Sequence, residues 1–209
     1  ATNLKASFTF DGHFNSSKPI ISGVNNGAVL VDDRFGNPNS ALYFDGVDDT
    51  FSFSIDEILW NDFTISVWAK PTKTTTVAIE STSGMSMYTT APKSCLLSAG
   101  HGGSNPTYGF NIGTNGLNVT HYAAFLVTSS LAHTSDLSEW KHYTFISDSN
   151  KAKLYIDGSF VKNGLQMSNI YCGSSFLFGR SRPLPDQEFY KGDIDDIYIY
   201  DRVLLSSEV

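Results

Sequence analysis

No stretch of the 209 residues holds eighteen consecutive apolar side chains, so no membrane insertion by an apolar helix is expected. Charge is scarce. Asp, Glu, Lys and Arg make up 17% of the chain, below the usual quarter. The 14 basic residues form no stripe that could displace counterions from nucleic acid, and the net charge of −7 argues the same way. Cysteine is nearly absent. Cys95 and Cys172 permit one disulfide without requiring it. No Gly-x-Ser-x-Gly elbow and no His-Glu-x-x-His helix motif occurs, and the five histidines form no proton-relay pattern. Ala1-Thr2-Asn3 carries no basic or apolar leader region, as expected of a mature secreted chain or a domain cut from a longer one. Asn15-Ser16-Ser17 and Asn118-Val119-Thr120 are glycosylation sequons, relevant only in a eukaryotic secretory pathway.

What the chain does have is apolar residues at 41%, enough for a core, and aromatics at 13% with 15 Phe and 10 Tyr. They alternate with Ser, Thr and Asn in short runs: Ala6–Phe10, Ala41–Phe44, Phe51–Ile55, Phe63–Ala69, Cys95–Ala99, Tyr108–Ile112 and Ala123–Thr128. His142–Ser147, Lys153–Ile156, Phe176–Phe178 and Ile194–Tyr200 continue the series. Period two with Gly, Asn, Asp or Pro between runs predicts eleven or twelve strands. Asp157-Gly158 predicts a hairpin turn. A short helix is expected at Ser206–Val209, a turn near Ile55–Trp60, and a long surface loop over the Thr/Ser-rich Thr72–Pro92. No repeat or linker divides the chain, so residues 1–209 are read as one all-β, antiparallel two-sheet domain with its last strand near its first.

Several segments, in order, resemble the laminin-G-like, concanavalin A-like jelly-roll family. They are Phe8-Thr9-Phe10-Asp11-Gly12, Ala41-Leu42-Tyr43-Phe44-Asp45-Gly46-Val47-Asp48-Asp49 and Phe63 to Pro71. Trp140-Lys141-His142-Tyr143, Leu154-Tyr155-Ile156-Asp157-Gly158, Leu177 to Ser181 and Gly192 to Tyr200 with Arg202-Val203-Leu204 complete the set. The resemblance implies a jelly-roll β-sandwich with one concave sheet, secreted or on a cell surface. Its members include lectins, carbohydrate-binding modules, adhesins and enzymes, so fold alone does not name a function.

Carboxylates collect at the turns. Asp11 closes the first strand, Asp48 and Asp49 sit before Phe51, and Asp195 and Asp196 lie in the last strand. By the two-residue period Asp195 shares a face with Ile197 and Ile199, which would turn it into the sandwich. A buried carboxylate needs a cation or N–H donors there. Asp11, Asp49 and Asp195, with Asp48 next, are the expected ligands of a structural Ca²⁺, whose shell is hard and oxygen-rich. The resemblance points the same way, since family members often carry calcium where first and last strands meet. The alternative is turn-capping Asp residues with an ion pair to Arg180 or Arg202.

Glycosidases on this fold carry Glu-x-Asp-x-Glu on one strand, but the five glutamates here (Glu57, Glu80, Glu139, Glu188 and Glu208) lack that pattern. The Gln-x-His strand of alginate-lyase-like relatives is missing too. Non-catalytic binding of a polysaccharide or glycan is therefore expected, with Tyr88, His101, Asn105, Tyr108, Arg182 and Tyr190 as ligand candidates in polar loops. Trp68 falls on the face opposite Phe63, Ile65 and Val67; it and Trp140 are read as structural first. A protein-interaction or adhesion domain is the second reading, marked by a flat apolar patch, and a degenerate hydrolase the third. A homo-oligomer would add avidity, though nothing in the sequence demands one.

Overall fold

The computed structural model describes residues 3–17, 20–72, 81–86, 95–99, 109–113, 118–123, 126–133, 139–166, 171–180 and 189–209. Two antiparallel eight-stranded sheets dominate them. The first contains β1 (Leu4–Phe8), β5 (Val29–Val31), β6 (Ala41–Asp45), β9 (Phe63–Pro71), β15 (Lys141–Asp148), β16 (Lys151–Ile156), β17 (Ser159–Gln166) and β20 (Lys191–Tyr200). Its order is β17-β16-β15-β9-β20-β6-β5, with β1 pairing β20 off that path. The second contains β4 (Val24–Asn26), β7 (Thr50–Ser54), β10 (Ser81–Ser86), β11 (Cys95–Ala99), β12 (Gly109–Gly113), β13 (Asn118–Ala123), β14 (Leu126–Ala132) and β19 (Ser175–Phe178), in the order β10-β14-β13-β12-β11-β19-β7-β4. Two small ribbons, β2 (Asn15–Ser16) with β3 (Ile21–Ser22) and β8 (Leu59–Trp60) with β18 (Tyr171–Cys172), complete the element set.

Alternation explains the layers. In β9, Phe63, Ile65, Val67 and Ala69 enter the core, which leaves Thr64, Ser66, Trp68 and Lys70 on the opposite face. In β7 and β19, Phe51, Phe53, Phe176 and Phe178 enter it from the second sheet. Phe53 stacks on Phe176 at 5.1 Å, and Phe8 meets Phe53 at 4.5 Å and Phe51 edge-on at 5.2 Å. Burying each such ring contributes about 1.5–3 kcal/mol. The sandwich, antiparallel pairing and junction of first and last strands agree with the sequence reading. Asp157 and Gly158, at φ 50° and 74°, make the expected turn between β16 and β17.

Three local expectations need correction. Ser206–Glu208 forms a hydrogen-bonded turn, Glu208 N–H donating to Leu205 O at 2.8 Å, instead of a helix. The Thr72–Pro92 stretch contains strand β10, which pairs β14 at the edge of the second sheet, so the stretch is not all loop. The third concerns β20. A bulge interrupts its register against β9 between Asp195 and Tyr198, with Asp196 at φ 48°. A bulge inserts one residue and shifts the alternation. Ile194 pairs Ala69 on the core side and Asp195 pairs Trp68, so Asp195 stands on the outer face while Ile197 and Ile199 stay inside.

Part of the outer face of the first sheet is covered by the C-terminal segment. Leu204 packs against Ile146 and Tyr155, with Tyr200, Val203 and Val209 beside them. Thr64 Oγ1 donates to Arg202 O at 2.8 Å and accepts from Leu204 N–H at 3.2 Å. Tyr155 OH lies 3.1 Å from Ser206 Oγ, and Arg202 clasps Glu208 with two 2.7 Å bonds. Thr64, Ser66, Thr144 and Ile146 are consequently buried although they face away from the core.

Candidate functional site

Asp195 is 2% exposed, and its countercharge is Arg34, in the loop between β5 and β6. Arg34 Nη1 donates to Asp195 Oδ2 at 2.6 Å and Nη2 to Asp196 Oδ2 at 2.7 Å. The guanidinium also lies 4.3 Å from the Trp68 ring centre and 4.5 Å from that of Phe35. Trp68 stacks on His142 at 5.2 Å, and the imidazole Nε2 is 2.6 Å from Ser66 Oγ. Burial, then the charge of Asp196, pushes the Asp195 carboxyl up to about 7, against the Asp196 N–H and the guanidinium. Burial likewise lowers His142. Two planar partners already occupy the indole, so the cluster braces the outer face and leaves Trp68 poorly placed to stack on a sugar.

The turn between β6 and β7 brings Asp45, Asp48 and Asp49 together, each offering a carboxylate oxygen within 4.8 Å of the others. Asp49 Oδ2 accepts from Asp45 N–H at 2.8 Å, and Asp45 Oδ1 accepts from Val47 N–H at 2.7 Å. Asp49 is buried, which raises its carboxyl, and the charges of Asp45 and Asp48 add to the rise. Gly27, at φ +93°, leaves room that a Cβ would close, only 2.1 Å from Asp49 Oδ1. Of the four expected metal ligands, Asp48 and Asp49 meet here. Asp11 is exposed and accepts from Thr9 Oγ1 at 2.8 Å, while Asp195 is held by Arg34. Neither Arg180 nor Arg202 is the partner of Asp195; Arg180 lies 5.3 Å from the Phe189 ring and Arg202 binds Glu208.

On the second sheet a groove of about 390 Å³ runs along the outside of β4, β7 and β19 and the adjoining β3. Ser22, Ser52, Ser54 and Ser175 supply hydroxyls, and Ile21 and Val24 form aliphatic walls. Phe53 and Phe176 touch it from the sheet, their rings committed to the core. Ser54 Oγ is 3.2 Å from Ser175 Oγ. Gly23 sets the wall: a Cβ there would meet Phe14 O at 2.3 Å and the Phe51 ring at 2.4 Å. Across the sheet, Ser52, Leu177, Ser98, Asn111, Thr120 and Ser129 stand in one cross-strand register row.

Tyr88, His101, Asn105, Tyr108 and Arg182 lie outside the described residues. Tyr190 is fully buried, packed edge-on to Phe44 at 5.8 Å with its hydroxyl donating to Asp193 O at 2.9 Å. A side chain so enclosed does not face a ligand. Cys172 is a buried free thiol. The groove serines escaped the sequence reading although Thr50-Phe51-Ser52-Phe53-Ser54 carries the signal: phenylalanines inward place serines outward. Arg34 left no such signal, being 161 residues from Asp195.

The family model for the concanavalin A-like lectin/glucanases superfamily matches residues 45–209. The chain belongs to this superfamily. Among solved structures similar to this member is domain 4 of AbnA, a GH43 extracellular arabinanase from Geobacillus stearothermophilus, in complex with arabinotriose. Its TM-score is 0.73 at 18% identity, covering 99% of this chain and 96% of that one. A botulinum neurotoxin type C structure, described as entering cells through two ganglioside molecules, gives 0.71 at 13% identity over 98% of this chain and 49% of that one. The receptor-binding domain of botulinum neurotoxin type G gives 0.68 at 16%, covering 99% and 50%. The superfamily member thus spans about half the length of these toxin chains. No curated protein sequence matches it.

Proposed function

We propose that this superfamily member is a non-catalytic, extracellular carbohydrate-binding module whose ligand lies in the serine-floored groove of the second sheet. One observation carries the reading: the C-terminal segment covers the Ile146–Tyr155 part of the first sheet's outer face, while the groove on the second sheet presents outward hydroxyls between aliphatic walls. Hydroxyls and C–H surfaces are what a sugar ring matches. Among the described residues no carboxylate lines the groove, whereas glycoside hydrolysis needs two across the scissile bond. Arabinotriose, the ligand named for the similar arabinanase domain, fits a binding role.

The same proposal includes a structural calcium held by Asp45, Asp48 and Asp49. Their hard, anionic oxygens suit Ca²⁺, which would supply the positive charge that lets the buried Asp49 stay ionised. A glycan array probed with and without EDTA tests ligand and metal together. Ser54→Arg and Ser175→Arg, both at exposed positions, should lower binding at least tenfold without lowering Tm. Phe35→Ala, in the loop between β5 and β6 beside the first sheet and 74% exposed, should leave binding unchanged. Loss in Phe35→Ala with retention in both groove variants would move the site to the other sheet.

A further inference from the structure

We infer that the groove takes a neutral glycan, a chain of pentose or hexose units without carboxylate, sulfate or phosphate. The inference rests on the glycan-binding reading of that groove and adds the charge class of its ligand. Each of Ser22, Ser52, Ser54 and Ser175 carries a hydroxyl that both donates and accepts, as does every hydroxyl of a neutral sugar. A uronate or sialate carboxylate only accepts, and losing its water is costly unless a charged donor replaces it.

Among the described residues, the groove lining contains no Lys, Arg or His. Several cations elsewhere on the molecule are already tied to carboxylates: Arg34 to Asp195 and Asp196, Lys5 to Glu57 and Asp201, Lys141 to Asp157, Lys153 to Asp148 and Arg202 to Glu208. Exposed Asp56 follows Ser54 by two residues, and the chain carries seven net negative charges. Both oppose an anion at this end of the sheet. The aliphatic walls favour the C–H faces of a sugar, with Val24 63% exposed beside Ile21 and Ile20 89% exposed next along the chain.

The test is an array of neutral, uronate-containing, sialylated and sulfated oligosaccharides, followed by titration of the best hit at low and high salt. Neutral hits are expected, with affinity changing less than about twofold between roughly 50 and 500 mM NaCl, because no ion pair is there to be screened. Ser175→Arg should lower that affinity at least tenfold. Hits confined to anionic glycans, weakening as salt rises, would overturn the neutral assignment and leave glycan binding standing. A neutral hit indifferent to both Ser54→Arg and Ser175→Arg would overturn it by placing the ligand elsewhere. A folded protein that binds no glycan on the array would remove the glycan-binding reading, and this inference with it.

Discussion

At the scale of single residues, Arg34 is the side chain on which the first sheet most depends. Its guanidinium meets two carboxylates, one of them almost wholly buried, and stacks on Trp68. Replacing it with Ala strands Asp195 without a countercharge, and breaking a buried pair in this way costs about 3–5 kcal/mol. Urea denaturation of Arg34→Ala at pH 7.5 should show a loss of about that size, shrinking toward pH 4.5 as Asp195 protonates. The wild type should carry a weaker slope of the same sign. A carboxyl raised from 3.8 to about 7 binds its proton more tightly in the folded state. Its contribution is therefore full below about pH 4 and is lost as pH climbs through about 7. Asp195→Asn should flatten the stability profile across that window; an unchanged slope would contradict the assignment. The sequence made Asp195 legible as a buried acid requiring a positive partner. It hid the identity of that partner, because a guanidinium from a distant loop leaves no local pattern, and it misplaced the side chain because a bulge reverses strand alternation.

Among the elements, the C-terminal segment does the work of a cover. Leu204, 7% exposed, fills the space between Ile146 and Tyr155 on the outer face of the first sheet. Leu204→Ala should cost about 2–4 kcal/mol, the usual range for emptying a buried leucine site, measured by denaturant unfolding. Its effect on glycan affinity should be under twofold, since the groove lies on the other sheet. Strands were the readiest features to read, because Phe63–Ala69 and Phe51–Ser54 alternate cleanly and each ends at turn residues. The cover was harder. Arg202-Val203-Leu204 has no period of its own, and its conformation is set by hydrogen bonds to Thr64 and by the Arg202–Glu208 clasp. Strand β10 was obscured for a related reason: Ser81–Ser86 has few apolar residues to mark a buried face.

For the whole molecule, the two sheets have become unequal. Part of one is covered by the C-terminal segment, and the other keeps a groove of hydroxyls open. The acidic turn of Asp45, Asp48 and Asp49 joins the sheets through β6 and β7. A calcium bound there would stabilise the fold by mass action, about 2.7 kcal/mol at a hundredfold excess over Kd. For a chain of this size that corresponds to roughly 5–10 °C in Tm. Adding CaCl2 to EDTA-treated protein should raise Tm by that amount, and Asp49→Asn should abolish the increment. An equal increment in Asp49→Asn would place the ion elsewhere.

The most direct test of the central claim is to map a bound glycan by amide chemical-shift changes on the 15N-labelled protein. The account predicts that the largest shifts fall on Ser22 to Val24, Ser52 to Ser54 and Ser175, with the Trp68 indole N–H unmoved. Shifts centred on Trp68, His142 and the Arg34 loop, with the groove amides silent, would contradict it.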